Sequence, residues 1–213
     1  MDNRENDRYY SSIRPEMLRY IPPNAKKILD VGCADGSFSS SIKRKFGADV
    51  WGVEINAEVA EMAKKNVDKI LIGDILKVID DIPDTYFDCI VFNDVLEHMV
   101  NPYTVLSKIK TKLTSTGVVV CSIPNIRHIK ALKKLLMQGK WKYENFGTFD
   151  KTHLRFFTKK SIIDMFKDLN YQIIKIEGIN ATKWWKFLPI SILTLGLMSD
   201  TRYLQFACVV KPK

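Results

Sequence analysis

The sequence predicts an α/β protein with one mostly parallel sheet covered by helices on both faces. Three observations lead there. Short apolar runs alternate with helical patterns through the first 125 residues, which is how successive strand–helix–strand units read. The runs are brief and bounded by turn residues, as buried strands are. The length of 213 residues, 46% hydrophobic and 27% charged, suits one ordinary globular core.

In chain order, residues Tyr9 to Tyr20 read as a short amphipathic helix ended by Pro22-Pro23, so 1–24 form an N-terminal helical cap. KKILDVG is the first strand and SFSSSIKRKF the helix after it, with Phe38, Ile42 and Phe46 at helical spacing. ADVWGVEIN and AEVAEMAKKN repeat the unit. Ile70 to Ile72 make a short third strand, and FDCIVFND a fourth. Pro102 to Leu113 is a helix with proline in its first turn, and GVVVCSIPN is a fifth strand. The pattern then changes. Ile126 to Met137 is a helix with Ile129, Leu132 and Leu136 on one face and Arg127, Lys130, Lys133 and Lys134 elsewhere. An aromatic, basic stretch follows, then a helix from Ser161 to Leu169, a strand YQIIKIEGI, an apolar insertion at 184–198 and a last strand YLQFACVVK.

The four cysteines stand far apart without metal-ligand spacing; Cys89, Cys121 and Cys208 lie in apolar runs and read as buried free thiols. The N-terminus is polar and does not read as a signal peptide, so a cytoplasmic location is expected. Charge is unevenly placed. Residues 1–100 hold 13 Lys/Arg against 18 Asp/Glu, and residues 101–213 hold 20 against 6. A basic second half is either a solvated surface or a face for an anionic substrate, membrane or nucleic acid.

The strand ILDV runs directly into GCADG and a helix. Such a turn lets a ligand approach the backbone and leaves helix N–H groups for it. The small residues are Gly32, Ala34 and Gly36, and position 37 is serine, so the third glycine of the dinucleotide pattern G-x-G-x-x-G is missing. Alone, the turn also fits a mere connector. Glu54 ends the second strand about twenty residues on and can accept both hydroxyls of a ribose. Asp74, after the third strand, stands next along the carboxyl edge, where ligands bind in open α/β sheets; it can receive an adenine amine.

With these residues the sequence resembles class I S-adenosylmethionine-dependent methyltransferases of the small-molecule type. The resemblance covers roughly 25–180 and rests on LDVGCADG, VEIN, GDI, FDCIVFNDVLEH and the run from P-x-x-V-L to Ile123-Pro124-Asn125. DKTHLRFFT is similar to the branch with quinone O-methyltransferases and methyltransferases associated with glycan biosynthesis. Ala34 departs from the family, which usually has glycine there. The resemblance implies a Rossmann-like doubly wound sheet with an antiparallel last strand. It implies a cofactor-binding half at 25–125, a substrate-side half at 126–213, and S-adenosylmethionine as cofactor without a metal. The cofactor would meet Asp30, Gly32, Cys33, Ala34 and Gly36, then Glu54 and Ile55, Asp74 and Ile75, and Asn93 and Asp94.

Methyl transfer from a sulfonium needs orientation above all, and a base only for a weakly acidic acceptor such as a hydroxyl. His98 and His153 are the candidate bases, each with an alternative role in holding its loop. Arg155, Tyr143 and Phe156 are candidate substrate contacts, and His128 reads as a surface residue. The insertion is a lid, a homodimer contact or, joined to the basic helix and the aromatic stretch, a surface for peripheral contact with the inner face of a membrane. The acceptor is expected to be an anionic small molecule, glycan or lipid-linked hydroxyl compound. RNA methylation, a silent binding protein of the same fold, and an NAD-dependent oxidoreductase are the rival readings; the missing third glycine and the intact acids weigh against the last two.

Overall fold

The computed structural model describes residues 13–183, 187 and 192–213. Seven strands form one sheet in the order β3-β2-β1-β4-β5-β7-β6: β1 Lys27–Val31, β2 Asp49–Glu54, β3 Lys69–Ile72, β4 Phe87–Asn93, β5 Leu113–Pro124, β6 Tyr171–Ala181 and β7 Tyr203–Pro212. The first five run parallel, whereas β7 is antiparallel to both of its neighbours. The mostly parallel doubly wound sheet with an antiparallel last strand is therefore the observed fold. The strand order reverses between β1 and β4, and in such sheets the crevice at that reversal receives the ligand.

Strands buried on both faces build two cores. One face carries Leu29, Val31, Ile90, Phe92, Val119 and Cys121, against Val105 and Leu106 of α4 (Pro102–Lys108) and Ile162, Met165 and Phe166 of α6 (Lys159–Asp168). The other carries Ile28, Cys89, Val91, Val118 and Val120 against Phe38 and Ile42 of α1 (Ser37–Phe46). Neighbouring residues of each strand thus enter opposite cores, which is why the runs read as continuously apolar. All four cysteines are free and buried.

Local chemistry fixes the helix starts. Asn56 accepts from the Glu58 and Val59 amides to cap α2 (Ala57–Ala63), and Asp74 accepts from Leu76 N to cap α3 (Ile75–Val78). Thr158 and Ser161 bond reciprocally at the start of α6, satisfying amides that the first turn leaves open.

Several expectations need correction. Of the N-terminal helix expected at 9–20, residues 9–12 lie outside the described residues, and 15–20 form turns rather than a helix. Arg14 has a left-handed φ of 44°, incompatible with a helix there, yet Met17, Tyr20 and Ile21 still bury in the α1 core. The fourth helix ends at Lys108, with a tighter turn to Lys112, and β5 begins at Leu113, four residues before Gly117. The basic helix α5 runs Ile129–Gln138, not from 126. Asn125 Oδ1 accepts from Arg127 N at 3.0 Å, while its Nδ2 donates to the Asp200 and Tyr203 carbonyls, and this turn delays the helix. The same turn buries His128, so it is not a surface residue; its Nε2 lies 3.1 Å from Thr182 Oγ1. Leu136, on the expected apolar face of α5, is 77% exposed. Of the insertion, 184–186 and 188–191 lie outside the described residues; Leu195 and Leu197 are exposed. No helix among the described residues is long and apolar enough to cross a membrane.

Candidate functional site

The loop after β1 is shaped by backbone that side chains resist. Gly32 has φ 72°, and a Cβ there would stand 2.6 Å from Val95 Cγ2. Gly36 has φ 77° and would place a Cβ 2.7 Å from Asn66 Cβ. Ala34 adopts φ 50°, a left-handed conformation that costs a non-glycine residue about 1 kcal/mol. What holds it is Glu54: its Oε2 accepts from Ala34 N at 3.0 Å and its Oε1 from Asn56 N at 2.9 Å. The acid at the end of β2 therefore organises the loop after β1, with its carboxylate at the carboxyl edge.

The predicted residues divide by depth. Asp30 lies beneath the loop, where Ser39 Oγ donates to its Oδ2 at 2.6 Å. Burial, and secondarily the charge of Glu54, pushes its carboxyl up to about 7 despite the serine bond. The Cys33 thiol is buried and pushed upward by burial, then by Asp30 and Glu54, so it is an inert wall rather than a nucleophile. Ile55 is 70% exposed beside Glu54. Asp74 is half-buried at its cap, and Ile75 packs inward. At the end of β4, Asn93 has both amide atoms buried without a partner among the described residues.

Asp94, by contrast, is engaged. With φ 54° it accepts from Arg14 Nη1, from Ser122 Oγ at 2.8 Å and from Gln205 Nε2 at 2.8–2.9 Å. Arg14 comes from the N-terminal turn, so that turn is strapped to the end of β4. Sequence spacing gives no hint of this pairing across 80 residues.

Beyond β4 the chain brings together His98 and His153, whose ring centroids lie 4.7 Å apart. The 97–98 turn and the 147–155 segment are joined by backbone: Leu154 N and Arg155 N both donate to Glu97 O, at 2.9 and 3.0 Å. Asp150 accepts from Thr152 N and Oγ1 at 2.8 and 2.6 Å, and it is buried. Each imidazole meets a backbone carbonyl through Nδ1, His98 at Thr152 O (3.2 Å) and His153 at Thr148 O (3.3 Å). A carbonyl only accepts, so Nδ1 carries the proton in both rings and a neutral ring keeps its lone pair on Nε2. Burial and then the neighbouring His98 lower the His153 pKa, favouring the neutral ring. Glu97, missed as a site residue, is 1% exposed, and neither of its carboxyl oxygens has a partner among the described residues. Burial, then Asp94, raises it well above the usual carboxylate range.

A cavity opens here, lined by Asp94, Glu97, His98, Asp150, His153 and Gln205 among others. Tyr143 and Arg155 do not line it. Tyr143 is exposed beside Trp141, and the Arg155 guanidinium turns outward to Val100 O, because the backbone bonds to Glu97 O fix the direction of residues 154–155. Phe156 packs on Trp141 with centroids 5.0 Å apart and stands 6.4 Å from the His153 ring. The turn that supplies Asp94, Glu97 and His98 to the cavity also packs against the β1 loop, where Gly32 makes room for Val95.

Residues 3–176 match the family described as "Methyltransferase domain". A ubiquinone biosynthesis O-methyltransferase of Actinobacillus pleuropneumoniae is 30% identical over 158 residues, 63% of this chain and 67% of that one. An uncharacterized protein of Methanocaldococcus jannaschii is 28% identical over 173 residues, 80% of this chain and 76% of its own. A solved S-adenosylmethionine-dependent methyltransferase from Archaeoglobus fulgidus superposes with a TM-score of 0.74 at 17% identity, over 99% of this chain and 100% of that chain. With the glycine cradle and Glu54 at the switch of the sheet, these likenesses identify the chain as a member of the class I S-adenosylmethionine-dependent methyltransferases.

Proposed function

We propose that this methyltransferase transfers its methyl group to a hydroxyl oxygen of a small molecule held in the cavity beside Glu97, His98 and His153. The observation that carries the reading is the cavity's place: it opens from the turn after β4, which touches the cofactor loop through Val95. The relatives named ubiquinone biosynthesis O-methyltransferases support an oxygen acceptor. Among the described residues no lysine or arginine lines the cavity, so a neutral hydroxyl compound fits it better than the anionic acceptor expected from the basic second half.

Residues fit the cofactor as follows. Gly32 and Gly36 hold the loop in left-handed turns where a Cβ would strike Val95 and Asn66, Glu54 offers carboxylate oxygens to ribose hydroxyls, and the Asn93 amide at the end of β4, without a partner among the described residues, offers both a donor and an acceptor. When bound, S-adenosylmethionine would supply an electrophilic methyl carbon with sulfur as the leaving group, and an acceptor hydroxyl would have to give up its proton. In this chain His98 receives that proton at Nε2, the ring being oriented by Thr152. The rest of the site orients the hydroxyl and excludes water, which is where much of the rate arises.

Radiolabelled S-adenosylmethionine supplied to a cell extract with the enzyme tests this. Label is expected in the small-molecule fraction, and His98→Ala lowers it by about a hundredfold or more with S-adenosylhomocysteine binding retained. Label in the RNA fraction overturns the reading.

A further inference from the structure

Three residues from distant parts of the chain take left-handed backbone without being glycine, and they meet at one side chain. Arg14 has φ 44°, Asp94 φ 54° and Asn180 φ 53°, and all three bond to Gln205. Gln205 Nε2 donates to both Asp94 oxygens at 2.8–2.9 Å, while its Oε1 accepts from Asn180 Nδ2 at 2.7 Å and from Arg14 Nη2 at 3.4 Å. Such conformations cost energy and persist only where the surroundings over-determine them. We propose that this network is a clasp on the cofactor site. The Arg14–Asp94 ion pair holds the N-terminal turn across the end of β4, and the clasp opens for S-adenosylmethionine to enter and for its product to leave.

The argument starts from Asn93. Its side-chain oxygen and nitrogen are both buried without a partner among the described residues, although it ends β4 at the carboxyl edge of the sheet. An amide buried and unpaired is costly, and a ligand does not reach atoms that are closed off. The Asn93 amide therefore meets a cofactor only after the end of β4 is uncovered.

The contacts of the next residue show which part moves. Ser122 Oγ accepts from Asp94 N at 3.0 Å and donates to its Oδ1 at 2.8 Å. Ser122 belongs to β5 and Gln205 to β7, so these bonds are fixed within the sheet. Arg14, in contrast, comes from the N-terminal turn and donates to Asp94 Oδ2 and, at 3.3 Å, to Ser122 Oγ. The two side chains are 15% and 25% exposed, a setting in which charge-assisted bonds are strong enough to hold a turn in place.

The turn is attached at two levels. Below, Met17, Tyr20 and Ile21 bury in the α1 core and anchor it. Above, the Arg14 guanidinium reaches the sheet edge. Arg14 Nε also donates to Glu16 Oε1 at 2.7 Å, so a released guanidinium keeps a carboxylate partner within its own turn, and its left-handed backbone is free to relax. Arg14 is thus a positioning residue that acts through Asp94. The inference rests on the reading of Asn93 as a cofactor contact, but a clasp governs rates whereas a contact governs affinity.

Association and dissociation of S-adenosylhomocysteine on the immobilised full chain test it. In Arg14→Met, which keeps the stem and loses the charge, both rate constants rise about tenfold, the effect of losing roughly one charged hydrogen bond. The dissociation constant changes by less than about threefold, because open and closed states are shifted alike with and without ligand. Arg14→Lys falls between, since an ammonium does not span Asp94, Ser122 and Gln205 together. Circular dichroism checks the fold, and Arg14→Lys carries the test if Arg14→Met does not fold. Rates equal to those of the wild-type protein overturn the clasp, as does slower association, which is what a damaged site gives. An affinity unchanged in Asn93→Ala, with the Arg14→Met rates still raised, overturns the Asn93 reading and keeps the clasp.

Discussion

Replacing Glu54 by alanine weakens S-adenosylhomocysteine binding by at least about a hundredfold. The carboxylate holds Ala34 N and Asn56 N and stands where the ribose hydroxyls arrive. Hydrogen bonds to a charged group contribute about 1.5–3 kcal/mol each, so losing two at the ligand alone reaches that factor. The loop loses its support as well, because Ala34 at φ 50° is held by the same oxygen. Glu54→Gln falls between the two. Its oxygen can serve one backbone amide, but its NH2 must face the other. Calorimetric titration checks both variants, and an affinity unchanged in Glu54→Ala would remove Glu54 from the site.

Asp30→Asn stabilises the protein, and the gain depends on pH. The Asp30 carboxyl is pushed from 3.8 to about 7 by burial, so between these values the folded state holds a proton that the unfolded chain has released. The stability tied to that proton is fully present below pH 4 and is lost as pH rises through about 7. Above pH 7 the folded protein carries the full cost of a buried carboxylate, up to about 4 kcal/mol for some three pKa units. Asparagine keeps the shape and a partner for Ser39 but has no charge to bury. Urea unfolding at pH 5 and pH 8 should therefore show a wild-type–variant difference that widens with pH. Parallel curves would mean that Asp30 does not titrate as its burial requires.

Asp30 also shows what a sequence pattern conceals. The acid in LDVG stood out as a site residue, yet it lies beneath the loop, bonded to Ser39 of α1, and supports the cofactor site from below. Glu54, Asp74 and the glycines were legible because each ends a strand or shapes a turn, and strand ends share one edge of a parallel sheet. The acceptor side was not. Glu97 and His98 meet His153 only because the 147–155 segment folds back onto one carbonyl, and no period in the chain encodes a contact across 55 residues. Arg14 reaches Asp94 for a similarly nonlocal reason. Its left-handed φ breaks a stretch whose Met17, Tyr20 and Ile21 would bury in a helix or in a turn alike. His128 illustrates the same limit at short range: lysines around it suggest solvent, while the Asn125 turn places it inside.

The most direct test of the account is calorimetric titration of the wild-type protein with S-adenosylhomocysteine, with NAD in parallel. The predicted result is one molecule of S-adenosylhomocysteine bound per chain and no binding of NAD. Binding of NAD without S-adenosylhomocysteine would contradict the assignment of the β1 loop and Glu54 to a methyl donor.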